Sequence, residues 1–200
     1  MMANTIKRGL FHALAALLFP LSSLFLPRTI FLAGTAALVA ALLLIEFLRL
    51  NFVSVNRCFI FFFRAVMRER ELAGLAASTY VAISALVAFL LFQKHVAVVA
   101  MCFLAIGDPL SDIVGTRFGK RKLFAKSMEG NLTCFVSCLL VGFALSYSVL
   151  DISLLLVIIG AFSAALIQAL PLPVNDNLSI PLFSGLCMSL ADILSNMGGL

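Results

Sequence analysis

The stretch GDPLSDIVGTRFGKRKLFAKSMEG, residues 107–130, holds eight charged residues and four glycines in a chain that is otherwise mostly apolar. Asp108 and Asp112 are four residues apart, and Gly115 and Gly119 continue the same stripe on a helix. That spacing sets two carboxylates and two close-approach glycines on one face. A carboxylate pair of this kind suits Mg²⁺, which takes one or two protein oxygens together with substrate phosphates. The segment that follows, GTRFGKRKLFAKSMEGN, mixes glycines with Arg117, Lys120, Arg121, Lys122 and Lys126. Glycines let a backbone approach phosphate oxygens, and the cations offset their charge. The spacing is not that of a Walker P-loop. Two plainer readings stand beside this one. Asp108 ahead of Pro109 is also a good helix start, so it could be a metal ligand, a cap or both. A basic loop also serves as a topology signal or an anionic-lipid contact.

Other polar groups fall near the ends of apolar spans. Asp176 and Asn177, in LPLPVNDNLSIPLFSG, offer oxygen ligands immediately before the last span, or a cap for it. Arg8 and His12 share a helical face, and Glu71 opens the third span. Asp151 reads as an N-cap and Glu46 as a group that snorkels to the interface. Asp192 reads as a buried structural acid. The five cysteines include no CxxC pair and no histidine at ligand spacing; Cys134 and Cys138 read as small apolar residues on one helical face.

These residues need a scaffold, and composition specifies its solvent. Hydrophobic residues make up 63% of the 200, charged residues 12%, and mean hydropathy is +1.16. Soluble domains are about a quarter charged, so lipid must solvate most of this surface. Seven apolar segments are predicted as spans, near 10–26, 29–48, 72–92, 95–115, 131–150, 152–171 and 178–197. Between the second and third lies an arginine-studded apolar stretch expected to rest in the interface. The N-terminus reads as an uncleaved first helix. The predicted fold is an all-α polytopic bundle of about seven transmembrane helices plus an interfacial helix, a single domain over residues 1–200.

Of the 14 Lys and Arg residues, all but Arg28 and Lys94 fall at the N-terminus, in the second loop or in the fourth loop. The positive-inside rule puts those segments and the PLPVNDN turn in the cytoplasm, with the C-terminus outside. The same placement argues against nucleic acid as the partner of the +5 net charge.

Taken in order, the motifs resemble those of the CTP-dependent lipid kinases, which include dolichol kinases, phytol kinases and CTP-using diacylglycerol kinases. The resemblance rests on GDPLSDIVGTRFGKRK, KSMEGN and NDNLSIPLFSG, with weaker likeness in RGLFH and ERELAGLAASTY. Gly9, Ala73, Asn131 and Asn175 depart from the family pattern, and Ser111 stands where alanine is usual. What the resemblance implies is transfer of the γ-phosphate of CTP to a membrane lipid alcohol, a polyprenol, dolichol, phytol or diacylglycerol, at the cytoplasmic face of a bacterial inner membrane. It implies Mg²⁺ on Asp108, Asp112 and Asp176, with Asp108, Lys126, Glu129 and Asp176 catalytic. Gly115, Arg117, Gly119, Lys120, Lys126, Ser127, Gly130 and Asn177 would hold the nucleotide. Asp176 would be either a second metal ligand or the base on the lipid hydroxyl. Phosphatidate cytidylyltransferases share part of this core, but their C-terminal basic signature has no counterpart here, because no Lys, Arg or His follows Lys126. A small non-enzymatic transporter is the third reading.

Overall fold

The computed structural model describes residues 2–64, 67, 69–124 and 126–198. Among them the chain is all-α apart from one two-residue-stranded hairpin. The helices are α1 (Met2–Phe25), α2 (Arg28–Asn51), α3 (Val53–Phe63), α4 (Ala77–Leu91), α5 (Lys94–Cys102), α6 (Asp108–Phe118), α7 (Met128–Ser148), α8 (Leu154–Ala169) and α9 (Asp176–Gly198). A π turn at Phe103–Gly107 joins α5 to α6, so the two form one continuous rod and the described residues make eight α-helices.

That rod is the axis of the molecule. HVAVVAMCFLA is apolar on every side, which suits only a helix with neighbours all round. Accordingly, 78% of the rod's most apolar window is buried, against 17–28% in the other long helices. Helices α1, α4, α7 and α9 pack around it, and α8 lies against α7 and α9. Their outer faces show large apolar side chains such as Leu18, Phe47, Leu140 and Leu194, as expected for surfaces solvated by lipid.

Among the described residues five helices are long and apolar enough to cross a membrane: Arg8–Phe25, Arg28–Asn51, Lys94–Phe118, Met128–Ser148 and Asp176–Met197. Helices also form at the other two predicted spans, but α4 has 15 residues and α8 has 16. At 1.5 Å per residue these reach about 22–24 Å, short of a hydrocarbon core of about 30 Å. Residues 73–76 are withdrawn from α4 because a buried pair on α2 binds their backbone, and α8 ends ahead of Pro171 and Pro173.

The pair is Glu46 and Arg49. Glu46 is not a snorkelling acid; it is 3% exposed. Its carboxylate accepts from Arg49 Nε at 2.6 Å, from the Ala76 amide at 2.9 Å and from Thr79 Oγ1 at 3.0 Å. Arg49 donates in turn to the carbonyls of Glu71 and Gly74 and lies 4.9 Å from the centre of the Phe59 ring. Reading Arg49 only as a topology charge misses this role, since one arginine fastens α2 and α3 to the entry of α4. Two smaller expectations also change. The N-cap of α8 is Ser153, which accepts from the Leu156 amide, rather than Asp151. Asp192 is half-buried rather than buried, and its partners are Gln93 and Asn196. Cys134 and Cys138 are fully buried, and Gly107 packs closely against their sulfurs.

Candidate functional site

Asp108 does not start a helix. Gly107 before it is already helical (φ −64°, ψ −48°), so Asp108 sits inside a continuing helix. The rod continues through the π turn, whose extra residue rotates everything after it by about 100°. Asp108 is thereby freed for tertiary contacts: it is 3% exposed, and its Oδ1 accepts from Gln168 Nε2 on α8 at 2.7 Å.

The loop after α6 turns back as a short antiparallel hairpin, β1 (Lys122–Leu123) pairing with β2 (Lys126–Ser127). Phe124 takes the left-handed conformation its tight turn requires (φ 52°). The hairpin delivers Lys126 to the carboxylates. Its Nζ stands 2.8 Å from Asp112, 3.3 Å from Asp176 and 3.5 Å from Asp108. Burial works against the ammonium, but the three carboxylates outweigh it and raise its pKa above the ordinary lysine value. Arg8 adds a looser contact to Asp112 at 3.9 Å. Asp176 can reach Lys126 because Asn175 does the capping at the start of α9. The Asn175 carbonyl accepts from Leu178 and Ser179, and its side chain accepts from the Asn177 amide at 3.1 Å.

The glycines close the helices onto one another. A Cβ on Gly130 would sit 2.8 Å from the Ser111 carbonyl oxygen and 3.2 Å from Gly115 Cα; one on Gly115 would sit 2.9 Å from Ser127 Oγ. Ser127 itself caps α7 through the Gly130 amide at 3.1 Å. Gly119 lies just past the end of α6, outside the helical stripe, and it too faces Ser127.

Two cavities of unlike character flank the cluster. One, of about 400 Å³, is bounded by Asp112, Gly115, Gly119, Lys126 and the basic residues Lys120 to Lys122. Ser127 and Gly130 also line it. The other, of about 310 Å³, is largely apolar and lies between α1, α2 and α4. Its polar end is formed by Arg8, His12, Asp108, Asp112 and Asn177, and Glu46 and Glu71 also line it. Asp112 lines both cavities.

The expected site residues are thus distributed unevenly. Asp108, Asp112, Asp176 and Lys126 converge, and Gly115, Gly119, Lys120, Ser127 and Gly130 gather beside them. Asn177 faces the apolar cavity and donates to the Ala77 carbonyl at 3.4 Å. Arg117 points outward over the Phe118 ring. Glu129 accepts from the Arg121 amide at 3.5 Å, on the loop side. Gln168 had no signal in the sequence, since a lone glutamine in an apolar span reads as nothing until its partner is known. Among the described residues no group of three or more His, Cys, Asp or Glu is arranged to hold a metal alone. A divalent ion bound with nucleotide phosphates needs fewer protein ligands, and the partly exposed Asp112 and Asp176 fit that requirement.

No protein-family model and no solved structure matches the chain. Over 123 residues it is 32% identical to "Probable phytol kinase 1, chloroplastic" of Oryza sativa subsp. japonica, a match covering 52% of this chain and 38% of the rice protein. It is also 32% identical over 183 residues to the uncharacterized protein RP860 of Rickettsia prowazekii, covering 88% of this chain and 89% of that protein. With almost the whole of both proteins aligned, the chain belongs to the same family as the Rickettsia protein RP860.

Proposed function

We propose that this protein is a lipid-alcohol kinase that transfers the γ-phosphoryl group of CTP to the hydroxyl of a membrane lipid alcohol. The observation that carries this reading is the pair of cavities meeting at Asp112, one basic and glycine-lined, the other apolar. A nucleoside triphosphate fits the first by charge, and a lipid with one polar end fits the second. The partial likeness to a probable phytol kinase supports the same chemistry. The loop cavity faces the cytosol in this reading, as the distribution of Lys and Arg favours.

Phosphoryl transfer asks mainly for alignment and for charge to be offset. Lys126 supplies a cation whose position is held by three carboxylates, and Lys120, Arg121 and Lys122 surround the phosphate tail. Asp112 serves as the base because it borders both cavities, which Asp176 does not. The hydroxyl oxygen attacks the γ-phosphorus and its proton passes to the Asp112 carboxylate. The bond to the β-phosphate oxygen breaks, and CDP leaves. Asp108 is kept in place by Gln168 and orients Lys126. Mg²⁺, held by Asp176 with the phosphates, would neutralise their charge and leave the base's role to Asp112.

The test is a purified protein in detergent offered CTP or ATP with polyprenol, phytol, geranylgeraniol and diacylglycerol. A lipid phosphate and CDP are the expected products, formed only with Mg²⁺. Absence of any phosphorylated lipid would overturn the reading, and a CDP-lipid with pyrophosphate would make the protein a cytidylyltransferase instead.

A further inference from the structure

The apolar cavity does not end beneath the carboxylates. Ala15 on α1, Leu42 on α2 and Ser78 on α4 line both it and a second groove of about 420 Å³. The second groove exists because α1 and α2, consecutive in the chain, scarcely touch: α1 packs on the central rod and α2 on α4. Val81 and Ala82 form its floor, each 1% exposed, and no described charged residue lines it. It runs to Leu26 and Ile30, where α1 turns into α2. The combined space is acidic and hydrogen-bonding at one end and hydrocarbon along the rest, the polarity of a molecule with one hydroxyl and one tail.

Length narrows the occupant. From His12 to Leu26 the groove follows α1 for about 21 Å. With C–C bonds of about 1.5 Å, an extended chain advances about 1.25 Å per carbon, so about 16 main-chain carbons fit. We propose that the α1–α2 groove is a tail ruler for a single-chain lipid alcohol of this length, entering sideways from the bilayer between the two helices. The inference rests on the lipid-alcohol reading of the carboxylate site. Gly34 gauges it: the residue borders the groove, and a Cβ there would meet nothing within 4 Å. A phenylalanine at that position lies about 17 Å along α2 from Ile45 at the polar end, which leaves room for about 13 carbons.

The experiment compares wild type with Gly34→Phe on farnesol, with about 12 main-chain carbons, and on geranylgeraniol, with about 16. The ratio of geranylgeraniol to farnesol phosphorylation should fall about ten-fold or more in the variant. Equal effects on both alcohols, or none on either, would overturn the ruler while leaving the kinase standing. A second measurement is independent of turnover: a geranylgeraniol with a photoreactive group at its tail is crosslinked and its position mapped by mass spectrometry. Labelling of α1 and α2 that excess geranylgeraniol displaces and Gly34→Phe removes supports the groove even if no phosphate is transferred. Labelling elsewhere, or labelling displaced equally by bilayer phospholipid, overturns it.

Discussion

Lys126→Met removes the ammonium from among three carboxylates and keeps a side chain of similar length. In the wild type, burial opposes the charge but the three acids prevail, and the lysine pKa rises above its ordinary 10.5. A group that binds its proton more tightly folded than unfolded contributes stability fully below its unfolded pKa. That contribution fades only as pH climbs through the higher folded value. Taking one partner from a buried charge cluster costs about 3–5 kcal/mol. The Asp112 and Asp176 side chains keep 21% and 24% of their exposure, so water screens part of the repulsion left behind and the low end, about 3 kcal/mol, applies. For a chain of this size that is a fall in Tm of about 6–12 °C. Thermal unfolding in detergent, followed from about pH 7 to about pH 11, measures it. The deficit should be constant up to about pH 10 and begin to narrow above it, as the stabilisation that the wild-type ammonium supplies starts to fade. Lys126→Arg should recover most of it. A Tm equal to wild type at every pH, or a deficit that ignores pH, would show that Lys126 contributes only packing. Phosphoryl transfer should drop by about 10²–10³ in Lys126→Met.

Asp108→Asn keeps the shape that Gln168 and Lys126 contact, so it should extract normally while turnover falls by about 10²–10³ in the same kinase assay. Gln168→Leu leaves a buried carboxylate without its amide donor and should cost about 1.5–3 kcal/mol, read by denaturation in detergent. Arg49→Met should cost about 3–5 kcal/mol by the same measurement. Added to Glu46→Gln it should cost well below the sum of the single losses, because the two side chains share one network. Gly130→Ala presses a methyl against the Ser111 carbonyl and the Gly115 backbone, neither of which can rotate away. A loss of about 1–3 kcal/mol is expected from the unfolding midpoint.

Much of the scaffold follows from amino-acid type alone. A 63% apolar chain with its cations between hydrocarbon segments can only be a helix bundle solvated largely by lipid, and each predicted span is a helix. Period and punctuation also single out residues 107–130 and the Asp176 turn, because charge in an apolar chain is costly and stands out. Three features depend on contacts between distant segments and have no local signature. The lengths of α4 and α8 depend on Glu46, Arg49 and the proline-bounded turn, which draw residues out of helices that hydropathy would extend. Whether Asp108 caps or contacts depended on a π turn, a backbone register that residue types do not encode. The glycines, read as room for phosphate, also serve the close approach of α6, Ser127 and the start of α7.

Sequence alone determined the solvent of this protein, its helices and the segments where charge is concentrated, since these follow from transfer energies and periodicity. Only the tertiary structure decided that Asp108, Asp112 and Asp176, 68 residues apart at their extremes, share one ammonium. It also decided that Gln168 holds the most buried of them and that a hydrocarbon groove ends at their side. Those relations exist only once packing has brought the helices together, because a charge pair or a cavity belongs to the space between elements and to no single one of them.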